Sequence, residues 1–282
     1  MNPTIPNRQL RGLVELARPL PVAGAGTLTL VGAFVAAGTR AVGPGVAAAA
    51  LVAMLATAGG NAINDYVDRD LDVVDSPDRP IPSGAVDAGT ALALGTALLA
   101  GALAVAAVLP APAIAIAAVN VLAVAAYTSG LKGRAGAGNV LVALLSGSTL
   151  LFGGAAAGDA SATAGLATLA TLPALAREIL LDVRDVRGDR AAGLTTLPVC
   201  LGERSALLVA AATLLLAVLV SPVPYLTGTL GAVYLLAMVA ADAAWLWAAV
   251  RVVDAAERGH PLLLVGTALT TLAIVADVAV VV

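Results

Sequence analysis

Two short stretches of the chain carry side chains whose types and spacing suit cation and phosphate chemistry. The first reads Asn61-Ala-Ile-Asn64-Asp65-Tyr66-Val67-Asp68-Arg69-Asp70-Leu71-Asp72. Residues four apart share a helix face, so Asn64, Asp68 and Asp72 stack on one side with Asp65 beside them. Like charges at that spacing repel each other, and Arg69 is the only base within the stretch. A solvated helix face would mix in lysines, so this one calls for a cation from outside. Its donors are all oxygen, which suits Mg2+ or Mn2+ rather than zinc.

The second stretch places Glu178, Asp182, Asp185 and Asp189 at spacings of four, three and four, again one helical face. Arg184, Arg187 and Arg190 fall mostly on another, and Gly188 is expected to end the helix. Mg2+ keeps several waters and binds a few carboxylates together with phosphate oxygens. Two acid ladders facing each other would hold such ions and clamp a diphosphate. Basic residues complete the pattern. Arg79 opens the run Arg79-Pro80-Ile81-Pro82-Ser83-Gly84, whose two prolines are expected to hold it in place. The 127–134 region carries Tyr127 and Lys132, the single lysine of the chain. Lys132 and Arg79 are placed to neutralise charge that develops on a leaving diphosphate.

Such groups need elements to present them, and composition says what those are. Of 282 residues, 60% are hydrophobic and 12% charged, and the mean hydropathy is +0.98. Soluble domains carry about a quarter charged residues, so the chain belongs in a bilayer. A net charge of −3 leaves no basic field for nucleic acid. Nine apolar stretches of spanning length can be read at about 18–38, 45–66, 88–109, 111–129, 139–158, 162–181, 204–222, 225–248 and 261–281. The expectation is therefore an all-α, polytopic membrane protein forming one domain over 1–282. With the N-terminus in the cytoplasm, every basic residue except Arg40 falls inside, as the positive-inside rule requires. Both ladders then open toward the cytoplasm, and a diphosphate on an apolar tail, an isoprenyl diphosphate, is the substrate such a site would take. Trp245 and Trp247 are expected as interface anchors, Cys200 as a small buried hydrophobe, and Asp242 and Asp277 as groups satisfied near opposite helix ends.

The first ladder followed by Arg79-Pro-Ile-Pro-Ser-Gly, together with Asp185-x-x-x-Asp189, resembles the two signatures of the UbiA superfamily of intramembrane prenyltransferases. The resemblance covers nearly the whole chain. It implies a helical bundle around a central cavity open to lipid, and Mg2+-dependent prenyl transfer. It assigns Asn64, Asp68, Asp72, Asp185 and Asp189 to the metal, with Asp65 and Asp182 as close companions. Tyr127 and Lys132 resemble a tyrosine and a lysine of the same superfamily. The run Arg177-Glu178-Ile179 to Gly193-x-x-Thr196-Leu197-Pro198 is similar to its ether-lipid branch. That branch moves geranylgeranyl from its diphosphate to the hydroxyl of geranylgeranylglyceryl phosphate, a lipid-like acceptor. The acceptor's phosphate needs a cation, with Arg18, Arg134 and Arg177 as candidates. An aromatic acceptor is the alternative within the superfamily, and a polytopic transporter the alternative outside it.

Overall fold

A computed structural model describes residues 5–41, 43–254 and 256–281. Helix α1 (Ile5–Ala17) precedes α2 (Pro19–Ala37), which ends in a tight turn at Gly38–Ala41. There follow α3 (Pro44–Asp75), α4 (Ala88–Ala106) and α5 (Ala111–Ala126), then a wide helical turn at Tyr127–Leu131. Helices α6 (Ala137–Ala156) and α7 (Ser161–Ala191) come next, then the short α8 (Leu197–Leu201) and α9 (Glu203–Val220). The short α10 (Val223–Leu226), α11 (Ala232–Asp254) and α12 (Ala256–Val281) complete the chain. Among the described residues there are nine candidate spans, matching the nine read from the sequence.

Close backbone approach sets the centre of the bundle. Helix α6 lies between α2 and α7, and glycines make the fit. A Cβ on Gly32 would strike the Leu150 carbonyl, and one on Gly153 the carbonyl of Thr29. One on Gly147 would strike the Ala167 carbonyl and the Thr171 hydroxyl. Such contacts replace hydrophobic drive as the source of helix association in a membrane, where lipid is as apolar as leucine. A larger core joins α7, α9, α11 and α12 around Leu214, Tyr234, Met238 and Trp245. Helix α5 is peripheral, with Ala113 and Ala117 as its buried residues.

The two ladder helices are the long ones. Helix α3 has 32 residues and α7 has 31. At 1.5 Å per residue each runs about 45 Å, half again the hydrocarbon thickness, so each is longer than a span needs. Helix α7 continues through Pro173, as membrane helices tolerate.

Several expectations need correction. Helix α7 does not stop at Gly188. It stops at Gly193, which is left-handed with φ 70°, with Gly193 N–H donating to Arg190 and Leu194 N–H to Asp189. Those two bonds form a Schellman stop. Trp245 is fully buried rather than an anchor, whereas Trp247 is exposed beneath the Arg251 guanidinium. Cys200 is exposed. Asp242 lies mid-helix, bonded by the Ser221 hydroxyl at 2.8 Å. Asp277 behaves as expected and caps the start of α11 through Gly231 and Tyr234 N–H. Helix α1 was not foreseen. It buries Leu16 against Ala62, Val86 and Ala91, and leaves Leu10 and Val14 exposed.

Candidate active site

The first ladder is built around a break in the chain. Arg18, between α1 and α2, is left-handed at φ 55°, the one described non-glycine residue with positive φ. Pro19 starts α2, where its missing N–H costs nothing. The Asn61 amide donates to the Ala17 carbonyl at 2.9 Å, pinning the break to α3. The Arg18 guanidinium then donates to Asp65, one helical turn further along. Strain at Arg18, on the order of 1 kcal/mol, is held by these two contacts.

Every carboxylate of this ladder meets a cation. Asp65, Asp68 and Asp72 are all buried. Arg79 Nη1 donates to both Asp72 oxygens at 2.9 and 2.7 Å and lies 3.6 Å from Asp65. Its loop is a series of turns closed by Arg79 N–H to Ser76, Ser83 N–H to Arg79 and Val86 N–H to Pro80. Burial works against the charge on Arg79, but the bond to Asp72 and the field of Asp72, Asp65 and Asp68 outweigh it. The guanidinium therefore holds its proton more tightly than usual. Lys132 Nζ pairs with Asp68 and lies 3.5 Å from Asn64 Oδ1, while Asn64 donates to Asp68 at 2.9 Å. A cavity of about 560 Å³ opens beside this ladder, lined by Glu15, Arg18, Asp65, Asp78 and Arg79 among others.

Lys132 is delivered across the bundle by the wide turn after α5. Lys132 N–H donates to the Tyr127 carbonyl at 3.0 Å, an i to i+5 closure. The segment is then tied to the end of α7. Thr195 donates to the Gly133 carbonyl through N–H at 2.8 Å and through its hydroxyl at 3.1 Å. At Gly133, φ is 74° and an added Cβ would lie 2.8 Å from Leu194, so both conformation and space demand glycine.

The second ladder faces the same lysine. Glu178, Asp182 and Asp189 line a small cavity of about 60 Å³ with Tyr127, Lys132, Arg134, Asn139 and Thr196. The Asn139 amide donates to Asp182 at 2.9 Å, and the Thr196 hydroxyl to Asp189 at 2.9 Å. Asp185 turns outward, more than half exposed, and takes two bonds from Arg184 at 2.9 and 3.1 Å. Arg177 pairs with Glu178 at 2.7 Å.

The structure thus brings Asn64, Asp65, Asp68, Asp72, Arg18, Arg79 and Lys132 into one network. It places Tyr127, Asp182 and Asp189 beside the same lysine, and Asp185 and Arg177 at the margin. Among the described residues, no three acids, histidines or cysteines close around a point as a metal cage would. The donors present are hard oxygens, which fit a Mg2+ that shares its coordination with substrate phosphates. Three contributors escaped the sequence reading: Asn61, Asn139 and helix α1. The available signal was an amide in an apolar span, since a buried amide needs a partner.

The profile of the UbiA prenyltransferase family matches residues 25–273. The chain belongs to that family. It is a membrane-embedded prenyltransferase, and relatives and solved structures agree with the UbiA assignment. The digeranylgeranylglyceryl phosphate synthase of Natronomonas pharaonis is 53% identical over 235 residues, covering 83% of this chain and 84% of that one. Its counterpart in Halobacterium salinarum is 51% identical over 265 residues, covering 94% and 96%. A solved structure concerning digeranylgeranylglyceryl phosphate synthase in membranes superposes with a TM-score of 0.80 at 26% identity, over 96% of this chain and 98% of that one. A UbiA homologue from Archaeoglobus fulgidus bound to DMAPP and Mg2+ shares the fold, with a TM-score of 0.70 at 18% identity over 95% and 99%.

Proposed function

We propose that this UbiA-family chain transfers a geranylgeranyl group from geranylgeranyl diphosphate to the free hydroxyl of geranylgeranylglyceryl phosphate. One observation carries the site assignment: Lys132 stands between two acid ladders on different helices, paired to Asp68 and lining the cavity of Asp182 and Asp189. The named synthases at 51–53% identity support the acceptor.

Mg2+ held by Asn64, Asp68, Asp72 and Asp189, with Asp182 beside them and Asp185 joining once it turns from Arg184, would supply positive charge for the diphosphate. The chain's own cations do the rest. Lys132 and Arg79 turn from their carboxylates to the departing oxygens, where charge grows as the allylic C–O bond breaks. Arg18 holds the diphosphate from the α1–α2 break. Tyr127 walls the site beside the reacting carbon, and apolar helix faces keep water from the allylic cation. The acceptor hydroxyl forms the new C–O bond, and its proton passes to a first-ladder carboxylate, Asp65 or Asp68, or to the released diphosphate. Of the three arginines considered for the acceptor phosphate, Arg18 is given to the diphosphate and Arg177 is held by Glu178. Arg134 lines the second cavity and forms no ion pair among the described residues, so it is the favoured partner.

An acceptor screen tests this reading. Membranes with labelled geranylgeranyl diphosphate and Mg2+ are offered geranylgeranylglyceryl phosphate, para-hydroxybenzoate, homogentisate or naphthoate. Label in a lipid ether supports the assignment, and label in an aromatic product overturns it. We also place the protein in the cell membrane with both ladders toward the cytoplasm. Cys200, the single cysteine, is exposed on the connection just past the second ladder. An impermeant maleimide should label it in inside-out vesicles and not in right-side-out ones. The reverse result would invert the topology.

A further inference from the structure

We propose that Asn139 is a positioning residue that holds Asp182 ready for a cation without neutralising it, and that Thr196 orients one oxygen of Asp189. This rests on the prenyl-transfer reading above and adds two residues to it.

Asn139 lies in the first turn of a helix without charged residues and is 7% exposed; Thr196 is 6% exposed. Burying an amide or a hydroxyl costs free energy unless it is bonded, so each needs a partner. Each finds a carboxylate of α7: Asn139 Nδ2 reaches Asp182 Oδ2 and Thr196 Oγ1 reaches Asp189 Oδ2, both at 2.9 Å. Both donors are neutral. A neutral donor fixes one oxygen of a carboxylate and brings no charge of its own. On α3 the partners are charged instead, Lys132 on Asp68 and Arg79 on Asp72, and must turn away before those carboxylates meet a metal.

Asp182 forms no ion pair among the described residues, and the charges of Asp189, Glu178 and Asp185 act on it from the same helix. Negative charge is therefore concentrated where the small cavity meets Lys132, with two of its carboxylates aimed by neutral groups. Thr196 is itself well placed, because its neighbour Thr195 is bonded to Gly133 and the helix stop at Gly193 fixes the turn between. Partners of this kind commonly orient metal ligands, and their loss weakens metal binding by about tenfold to a hundredfold.

The test uses full-length protein in detergent with geranylgeranyl diphosphate, and reads free Mn2+ by electron paramagnetic resonance. Asn139→Leu keeps the size and removes the donor. Thr196→Val does the same, and Thr196→Ser restores the hydroxyl. The expectation is about tenfold or greater loss of Mn2+ affinity in Asn139→Leu and Thr196→Val, recovery in Thr196→Ser, and melting temperatures without metal close to wild type. Wild-type Mn2+ affinity in both donor-free variants would overturn the proposal, and so would a lowered melting temperature with affinity unchanged. If Asn139→Leu does not fold, Asn139→Ser and the Thr196 pair decide. A wild-type protein that binds no Mn2+ would instead overturn the metal-dependent reading of the site.

Discussion

The C-terminal turns of α3 and α7 look alike in sequence and differ in electrostatic state. Both present carboxylates at three- and four-residue spacing. On α3, three buried carboxylates are met by Arg18, Lys132 and Arg79, drawn from three other parts of the chain. On α7, Asp182 is met by the Asn139 amide, and Asp189 takes the Thr196 hydroxyl among its contacts. Spacing decides which face the acids share. The partner decides whether a carboxylate already has a positive charge beside it. The α3 ladder holds its cations where a diphosphate must arrive, so binding becomes an exchange of anions around fixed positive groups. The α7 ladder turns Asp182, which forms no ion pair among the described residues, toward the small cavity beside Lys132.

That contrast can be broken by experiment. The largest effect is expected at the carboxylates assigned to the metal. Asp68→Asn and Asp189→Asn should each lower prenyl transfer by about a hundredfold or more, since losing a ligand should exceed the loss of an outer partner. Near wild-type transfer in either variant would remove that ladder from the site. Next comes Lys132→Ala, expected to cut turnover about tenfold or more while the fold persists. Full activity would reduce Lys132 to the ion partner of Asp68. Asp65→Ala leaves Arg18 and Arg79 short of a partner at a partly solvated junction. Unfolding in detergent should record a loss on the order of 2 kcal/mol, below the range for a fully buried pair. An unchanged melting temperature would show that the Arg18 break holds itself.

The smallest effect is expected outside both ladders. Asp87 caps α4, accepting from Thr90 N–H at 2.8 Å and from the Thr90 hydroxyl. Those bonds hold its carboxyl below the ordinary range. A lowered folded-state pKa stabilises above the unfolded value and is lost as acid protonates the group. Asp87→Ala should therefore melt slightly below wild type near neutral pH, with the gap closing as pH falls beneath the usual carboxylate range. Transfer activity should not change, and a change would tie the loop after α3 to the chemistry.

The helices and ladders were legible because membrane length and helical spacing are written directly in the residues. Burial was less so. Trp245 and Trp247 lie two apart on one apolar helix, and one is core while the other faces outward. A bilayer and a protein core are equally apolar, so hydrophobicity does not reveal which face packs. Gly188 misled for a related reason: glycine permits a helix end without enforcing one, and the left-handed Gly193 with its two backbone bonds is what stops α7. Asn139 was read as the edge of a span because its partner lies 43 residues away. Arg79 was legible through its prolines, but its pairing with Asp72 required the folded loop.

The wide turn at Tyr127–Leu131 has a consequence for insertions and deletions. It spends one more residue than an α-turn before Lys132 emerges. Deleting one residue there would remove the closure from Lys132 N–H to the Tyr127 carbonyl and redirect the lysine. The lysine would then no longer address Asp68, although every other side chain of the site kept its identity. Chain length across these five residues thus works as a ruler: it sets which ladder the single lysine touches, and no substitution elsewhere can reset it.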